Sequence, residues 1–326
     1  MMTYEQTLDM LRDNGNFTLT NAYQKAVNEL FEHSNIMLSI SGGADSDVML
    51  DLMLKANEVA KKEMHFVFFD TGLEYQATKD HISELEQKYG IEIERVKPKK
   101  PIPVAVKEYG LPFVSKFVSE FIEALQKANF DFEYNNKNCN TSYEKWWNNV
   151  DTFKQFRIDR NKGLKEFLSQ NKPPFKISAK CCKYCKKQVS GDYEKANDID
   201  MVCLGIRNAE GGIRAAAYES CFDYVENGAD RFRPIFYFTN KDKEDYCKLF
   251  GVTHSRCYTE YGMKRTGCAG CPFNRNIEKD LQIIKQYEPK LYKACINIFG
   301  ESYEYTRQYR EFQRKMNLHG QVEMEL

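Results

Sequence analysis

The sequence has no excess of either charge: 47 lysines and arginines balance 47 aspartates and glutamates over 326 residues. Such a chain has no global field to draw it onto nucleic acid or an anionic membrane, so any polyanion it handles is met by local patches. It also lacks an unbroken apolar run of about 18 residues, the minimum for an ordinary membrane-spanning helix. Its start, Met1-Met2-Thr3-Tyr4-Glu5, has neither the basic opening nor the apolar stretch of a secretory leader. These absences set the expectation of a cytoplasmic protein with no membrane partner. No internal repeat, low-complexity tract or second core is recognisable. What is plentiful is cysteine, with 11 in the chain. Without a leader these read as reduced thiols, metal ligands or core residues rather than disulfides.

The periodicity then gives a fold class. Two helical patterns occupy the first 34 residues, one near Tyr4 to Arg12 and one with Ala22, Ala26, Leu30 and Phe31 on one side. Ile36 to Ile40 is a short apolar run that stops at Ser41-Gly42-Gly43, the signature of a buried strand entering a tight turn. Val48, Met49, Leu52, Met53, Ala56 and Val59 follow at helical spacing. His65 to Phe69 is a second strand, ended by Asp70-Thr71-Gly72, and a polar helix from about Gln76 to Tyr89 leads to a third strand over 91–96. Strand–helix alternation with short turns implies right-handed crossovers and an α/β fold, a doubly wound, mostly parallel sheet. Ligands on such sheets sit at the carboxyl ends of the strands, where both Gly-containing turns fall.

Beyond Lys97 the pattern weakens. Residues 129–149, rich in Asn and aromatics, read as an irregular excursion within an insertion over about 116–172. The sheet resumes at Met201 to Leu204, Thr239 caps a helix to about Phe250, and the chain after Ile277 is helical in two pieces broken near Gly300. The expected organisation is N-terminal helices over 1–34, a nucleotide-binding α/β domain over 35–275 with cysteine motifs at 181–185 and 268–271, and a helical tail over 276–326.

Three loops carry the chemistry. In Ser41-Gly42-Gly43-Ala44-Asp45-Ser46 the glycines let backbone approach phosphate oxygens, the helix N-terminus adds partial positive charge, and Ser41 and Ser46 add hydroxyls. Asp45 does not bind phosphate directly, so it either holds Mg²⁺ through the phosphates or fixes the loop. The Walker lysine is missing, which excludes a P-loop NTPase. In the second turn Asp70 and Thr71 offer polar groups at a strand end, and Gly72 allows close approach by adenine or ribose. The third, Leu204 to Arg214, carries Arg207 and Arg214, each able to grip a phosphate or sulfate bidentately, with Glu210 to hold one of them. The plainer alternatives are a capped glycine turn, a strand-ending turn and a solvated Arg–Glu pair.

The cysteines pair up at Cys181-Cys182 and at Cys268-Ala269-Gly270-Cys271. Four thiolates bind an iron–sulfur cluster or zinc. Cys182 and Cys185 with Cys268 and Cys271 compose an ordinary four-cysteine zinc site, and Cys181, Cys182, Cys268 and Cys271 are the other set of four thiolates. Lysines 176, 180, 183, 186 and 187 flank the first pair. They offset thiolate charge, contact a phosphate or form a solvated face.

Ser-Gly-Gly-Ala-Asp-Ser resembles the PP-loop signature of ATP pyrophosphatases and phosphoadenosine-phosphosulfate reductases. The turn Phe69 to Tyr75 and the loop 204–214 resemble the corresponding segments of those reductases. The adjacent cysteine pair with a distant Cys-x-x-Cys resembles the [4Fe–4S] site of the adenosine-phosphosulfate reductase branch. The resemblance spans about 35 to 273, and it implies an adenine nucleotide bound at Ser41, Gly42, Gly43, Asp45, Ser46, Asp70, Thr71, Gly72, Arg207 and Glu210, with Asp45, Arg207 and Arg214 catalytic. Members carry a nucleophilic cysteine in a Glu-Cys-Gly-His-like tail, whereas Lys315-Met316-Asn317-Leu318-His319-Gly320 has none. That departure points to the ATP-pyrophosphatase components of sulfur-modification systems. The reaction implied is adenylation of an acceptor by Mg²⁺–ATP, loss of pyrophosphate and sulfur transfer, with a sulfur donor, protein partners of a modification complex and a nucleic-acid acceptor among the possibilities. A reductase using another thiol and a non-catalytic nucleotide- and cluster-binding component are the alternatives.

Overall fold

The computed structural model describes residues 3–211 and 217–322, with side chains as far as residue 316. It divides into two units, Met1–Lys99 with Cys185–Cys268, and Lys100–Tyr184 with Ala269–Leu326.

The first unit holds the sheet. Helices α1 (Tyr4–Asp13) and α2 (Phe17–Glu32) precede β1 (Ile36–Ser39), α3 (Ala44–Ala60), β2 (Met64–Phe69), α4 (Gln76–Tyr89) and β3 (Glu94–Val96). After residue 184 come the helix Gln188–Ala196, β4 (Met201–Leu204), β5 (Phe222–Asp223), β6 (Asp230–Phe232) and the helices Asn240–Phe250 and Arg256–Thr259. The strands lie in the order β3-β2-β1-β4-β6-β5, all pairs parallel except β5 with β6. The α/β class and the mostly parallel sheet are therefore as the alternation implied. Ile36, Met37 and Leu38 are fully buried, as is Cys203 opposite Leu38. Strands covered on both faces need side chains that are apolar throughout, which is why they read as unbroken runs. Leu19, Tyr23 and Leu30 of α2 and Met49, Leu52 and Met53 of α3 share one buried cluster with β1.

Strand β1 is flanked by β2 on one side and β4 on the other. The chain winds outward from β1 through β2 to β3, then returns to start the opposite half at β4. Between β1 and β4 the winding reverses, and the carboxyl ends of the strands at such a reversal are where open α/β sheets bind ligands.

The second unit corrects two expectations. The stretch 116–172 contains the helices Lys116–Lys127, Ser142–Trp147 and Leu164–Gln170, and it closes a hydrophobic cluster of its own. Ile122, Trp146, Trp147 and Phe167 are buried there against Tyr305 and Tyr309 of the helix Pro289–Val322. That core escaped the sequence because its halves lie far apart along the chain. The C-terminal helices break at Glu288–Pro289, not near Gly300. Proline disfavours helical geometry in the residue before it, and Glu288 sits at φ −133°, ψ 65°. Gly300 stays inside the helix. No helix among the described residues is long and apolar enough to cross a membrane.

Candidate functional site

The loop after β1 is shaped by its glycines. Gly42 has φ +63°, and a Cβ there would lie 2.7 Å from Thr78 Cγ2 of α4. Gly43 is the N-cap of α3 and caps with no side chain. Ser41 donates its amide to Ser46 Oγ (3.0 Å), and Gly43 donates its own to Ser41 Oγ (3.3 Å). The Ala44 amide bonds to the Tyr258 hydroxyl, which also meets Thr266 Oγ1 at 2.9 Å. Burial raises the Tyr258 hydroxyl above its ordinary pKa, so it stays a neutral partner to that amide.

From β4 the chain passes directly over this loop. A Cβ on Gly205 would stand 2.7 Å from Ser46 Cα and 2.8 Å from Ser46 N, backbone against backbone. Two residues on, Arg207 is 4% exposed, and its Nε donates to Asp45 Oδ1 at 2.9 Å. Its Nη1 donates to Asn240 Oδ1 (3.1 Å) and the Phe238 carbonyl (3.3 Å). Lys243 Nζ reaches the same Asp45 oxygen at 3.0 Å. Burial alone would raise the Asp45 carboxyl, but the Lys243 ammonium and the Arg207 guanidinium outweigh it and hold it below the usual carboxylate range. Asp45 is thus an anion gripped by two cations at the N-terminal turn of α3. Glu210 accepts from the Arg207 amide (3.5 Å) and lies 3.5 Å from Arg265. Arg214 lies outside the described residues.

The second turn is ordered by its own polar groups. Asp70 Oδ1 accepts from the Gly72 amide (2.9 Å), and its other oxygen is 3.5 Å from Lys79 Nζ. Thr71 Oγ1 donates to Glu74 Oε1 (2.6 Å), with Cys268 Sγ 3.8 Å away. Burial pushes the Glu74 carboxyl up. The Cys-x-x-Cys motif therefore begins beside the second turn, in the same unit.

The cysteines expected to hold a cluster are distributed as follows. Cys181 and Cys182 form, with Lys180, a three-residue helical turn, and Cys185 lies in the π-helical turn Lys183–Lys187 that follows. Cys271 follows Gly270, whose φ of +62° leaves no room for a Cβ against Cys295. The donor chemistry suits iron–sulfur or zinc. Among the described residues, however, no group of three or more His, Cys, Asp or Glu is arranged to hold a metal.

Sequence reasoning missed several partners. Lys243, Tyr258 and Thr266 come from distant segments, and no local pattern marks them. Asp47, one turn into α3 and fully buried, has Oδ1 3.0 Å from His81 Nε2 and Oδ2 2.9 Å from His254 Nδ1. An aspartate at this depth of an amphipathic helix, on its apolar side, was the available signal.

The sheet order, the reversal at β1 and β4, and the glycine loops there define an α/β protein with a doubly wound, mostly parallel sheet. Residues 35–132 match the model of the phosphoadenosine phosphosulfate reductase domain, a segment that is under a third of the chain. It is 34% identical over 76 residues to adenosine 5′-phosphosulfate reductase 2 of Bacillus subtilis, covering 23% of this chain and 30% of that protein. It is 36% identical over 108 residues to an uncharacterized protein of Methanocaldococcus jannaschii, covering 33% of this chain and 20% of that one. The chain thus spans less than a third of the length of each of these two relatives. The crystal structure of phosphoadenylyl-sulfate reductase from Candida auris in its phosphate complex aligns at a TM-score of 0.42 and 14% identity, over 82% of this chain and 97% of that one. That likeness is distant.

Proposed function

We propose that the first unit binds an adenine nucleotide with its phosphates against the loop Ser41–Ser46 and activates an acceptor by adenylation. The observation that carries this reading is the placement of Arg207 and Lys243 on Asp45, at a helix N-terminus at the winding reversal of the sheet. Helix N-termini and guanidinium groups are anion ligands, and here both converge. The amides of Ser41, Gly43 and Ala44 are engaged within the protein, so the donors offered to phosphate narrow to Gly42, Asp45 and Ser46. Asp70, Thr71 and Gly72 would flank the adenosine, and Glu210 would steady Arg207.

In the reaction an acceptor oxygen attacks the α-phosphorus, and the bond to the bridging oxygen breaks. Pyrophosphate leaves, with Mg²⁺ arriving on the nucleotide. The protein contributes preorganised charge: Arg207 and Lys243 face the charge that builds on the leaving group, and Asp45 keeps both in place. The acceptor adenylate is then open to displacement by sulfur. In the cysteine motifs, Cys181, Cys182, Cys268 and Cys271, with Cys185 as the alternative ligand, would hold an iron–sulfur cluster or zinc. Such a group, when bound, would supply thiolate–metal bonds that hold the two cysteine motifs in shape.

Pyrophosphate release from ATP that requires Asp45 and an acceptor tests this reading. The relative named as an adenosine 5′-phosphosulfate reductase favours a second one, reduction of a sulfonucleotide by an internal thiol. Sulfite release from a sulfonucleotide would support that one instead. Nucleotide binding without turnover under any acceptor would support a non-catalytic component of a complex.

A further inference from the structure

Four residues after Lys243 on the same helix stands Cys247, a half-buried cysteine to which neither reading above assigns a role. The helix ends at Gly251 (φ 64°), and Val252 donates its amide back to the Cys247 carbonyl at 3.0 Å. This reversal returns His254 to the cysteine, with Nε2 3.5 Å from Cys247 Sγ. The other ring nitrogen, Nδ1, lies 2.9 Å from Asp47 Oδ2. Thiol, imidazole and buried carboxylate stand in series. Donation from Nδ1–H to Asp47 leaves Nε2 as the acceptor facing the thiol, the arrangement by which a base activates a nucleophile and a third group orients the base.

The charge around the thiol gives the base a purpose. Burial pushes the Cys247 thiol up to about 11; Lys243 opposes this, while Asp47, Asp51 and Asp45 add to it. The resting group is therefore a thiol, and it needs a proton acceptor to react near neutral pH. His254 keeps 20% of its side chain exposed, so the relay is open to solvent.

We propose that Cys247 is a sulfur-accepting nucleophile, deprotonated by His254 and oriented through Asp47, one helical turn from the residue that reaches the nucleotide loop. Its substrate is an electrophilic sulfur, with two possible sources. From a persulfide donor R–S–SH, the thiolate attacks the terminal sulfur. The S–S bond breaks, RSH leaves with the proton passed through His254, and Cys247 becomes a persulfide. From a sulfonucleotide, the thiolate attacks the sulfonyl sulfur. The S–O bond to phosphate breaks, the nucleotide leaves, and Cys247 becomes a thiosulfonate. Neither step needs an external oxidant or reductant. The proposal extends the sulfur-transfer reading above, but its first arm contains no nucleotide, so the two can fail separately.

The test treats the full chain anaerobically with sodium polysulfide or with adenosine 5′-phosphosulfate and maps adducts by peptide mass spectrometry. An adduct at Cys247 is expected with at least one reagent, and one sulfur atom or one sulfonate group tells the sources apart. Cys247 should react faster than Cys139 and Cys221, which are likewise half-exposed but have no histidine contact among the described residues. The variant His254→Gln should slow labelling of Cys247 about a hundredfold, the usual contribution of a general base, and leave Cys139 unchanged. In His254→Ala, added imidazole should restore part of the rate. The comparison with Cys139 and Cys221 needs only the unmodified protein, so a misfolded variant does not spare the proposal. Labelling of Cys247 no faster than of Cys139, or unaffected by loss of His254, would overturn it.

Discussion

Asp45 joins the structure of the site to its chemistry. Its carboxylate faces two cations, and a bound triphosphate would face the same pair, so the residue sets their positions while lending them counter-charge. Replacing Asp45 with Ala should abolish Mg²⁺-dependent turnover and leave the fold intact, read as pyrophosphate release beside far-ultraviolet circular dichroism. Lys243→Ala, which keeps Arg207, should cost about a hundred- to a thousandfold in turnover, the usual loss for one preorganised donor. A second residue-scale expectation concerns His81, 2% exposed. Burial lowers its pKa, but Asp47, through both hydrogen bond and charge, and Glu84 raise it further, and the net shift is upward. A raised histidine contributes stability that is fully present below its unfolded value of about 6.5 and is lost as pH rises through the folded value. Urea midpoints should therefore fall between about pH 6.5 and the raised value, and His81→Gln should remove that part of the slope. These pairings were illegible in the sequence, since a lysine or histidine announces nothing about a partner on another element.

At the scale of elements, what determines the site is how closely segments pass. Gly205 lets the β4 loop lie on the first turn of α3, and a methyl group there meets the main chain of Asp45 and Ser46, which is unable to step aside. Gly205→Ala should destabilise the protein by about 1–3 kcal/mol, as overpacking does, and should weaken nucleotide binding by displacing Asp45. At Gly42 the left-handed φ adds a conformational cost of about 1–2 kcal/mol for any other residue. The helix Asn240–Phe250, which presents both Lys243 and Cys247, starts with a capping box between Thr239 and Asp242. Removing that cap with Thr239→Ala should cost about 1 kcal/mol in urea unfolding. Elements of this kind were legible: the strand β4, the cap at Thr239 and the helix ending about Tyr89 all follow from residues next to one another in the chain. The edge strands β5 and β6 were not, because two or three residues are too short to show alternation.

For the whole molecule, the balanced charge noted in the sequence agrees with a site whose cations are local and already paired. The parallel sheet could be read from apolar runs and glycine turns, whereas the second hydrophobic cluster, joining residues near 120–170 to those near 305, could not. The cysteine motifs are tested at this scale by metal analysis without air. Brown protein with a broad band near ~400 nm, the mark of thiolate-to-iron charge transfer, is expected. Colourless protein with stoichiometric zinc would instead favour the set that includes Cys185. The most direct test is amide hydrogen exchange with and without Mg²⁺–ATP. Slowed exchange at Gly42, Asp45 and Ser46, absent in Asp45→Ala, is the expected result. Nucleotide that binds while those amides exchange unchanged would contradict the placement of its phosphates on this loop.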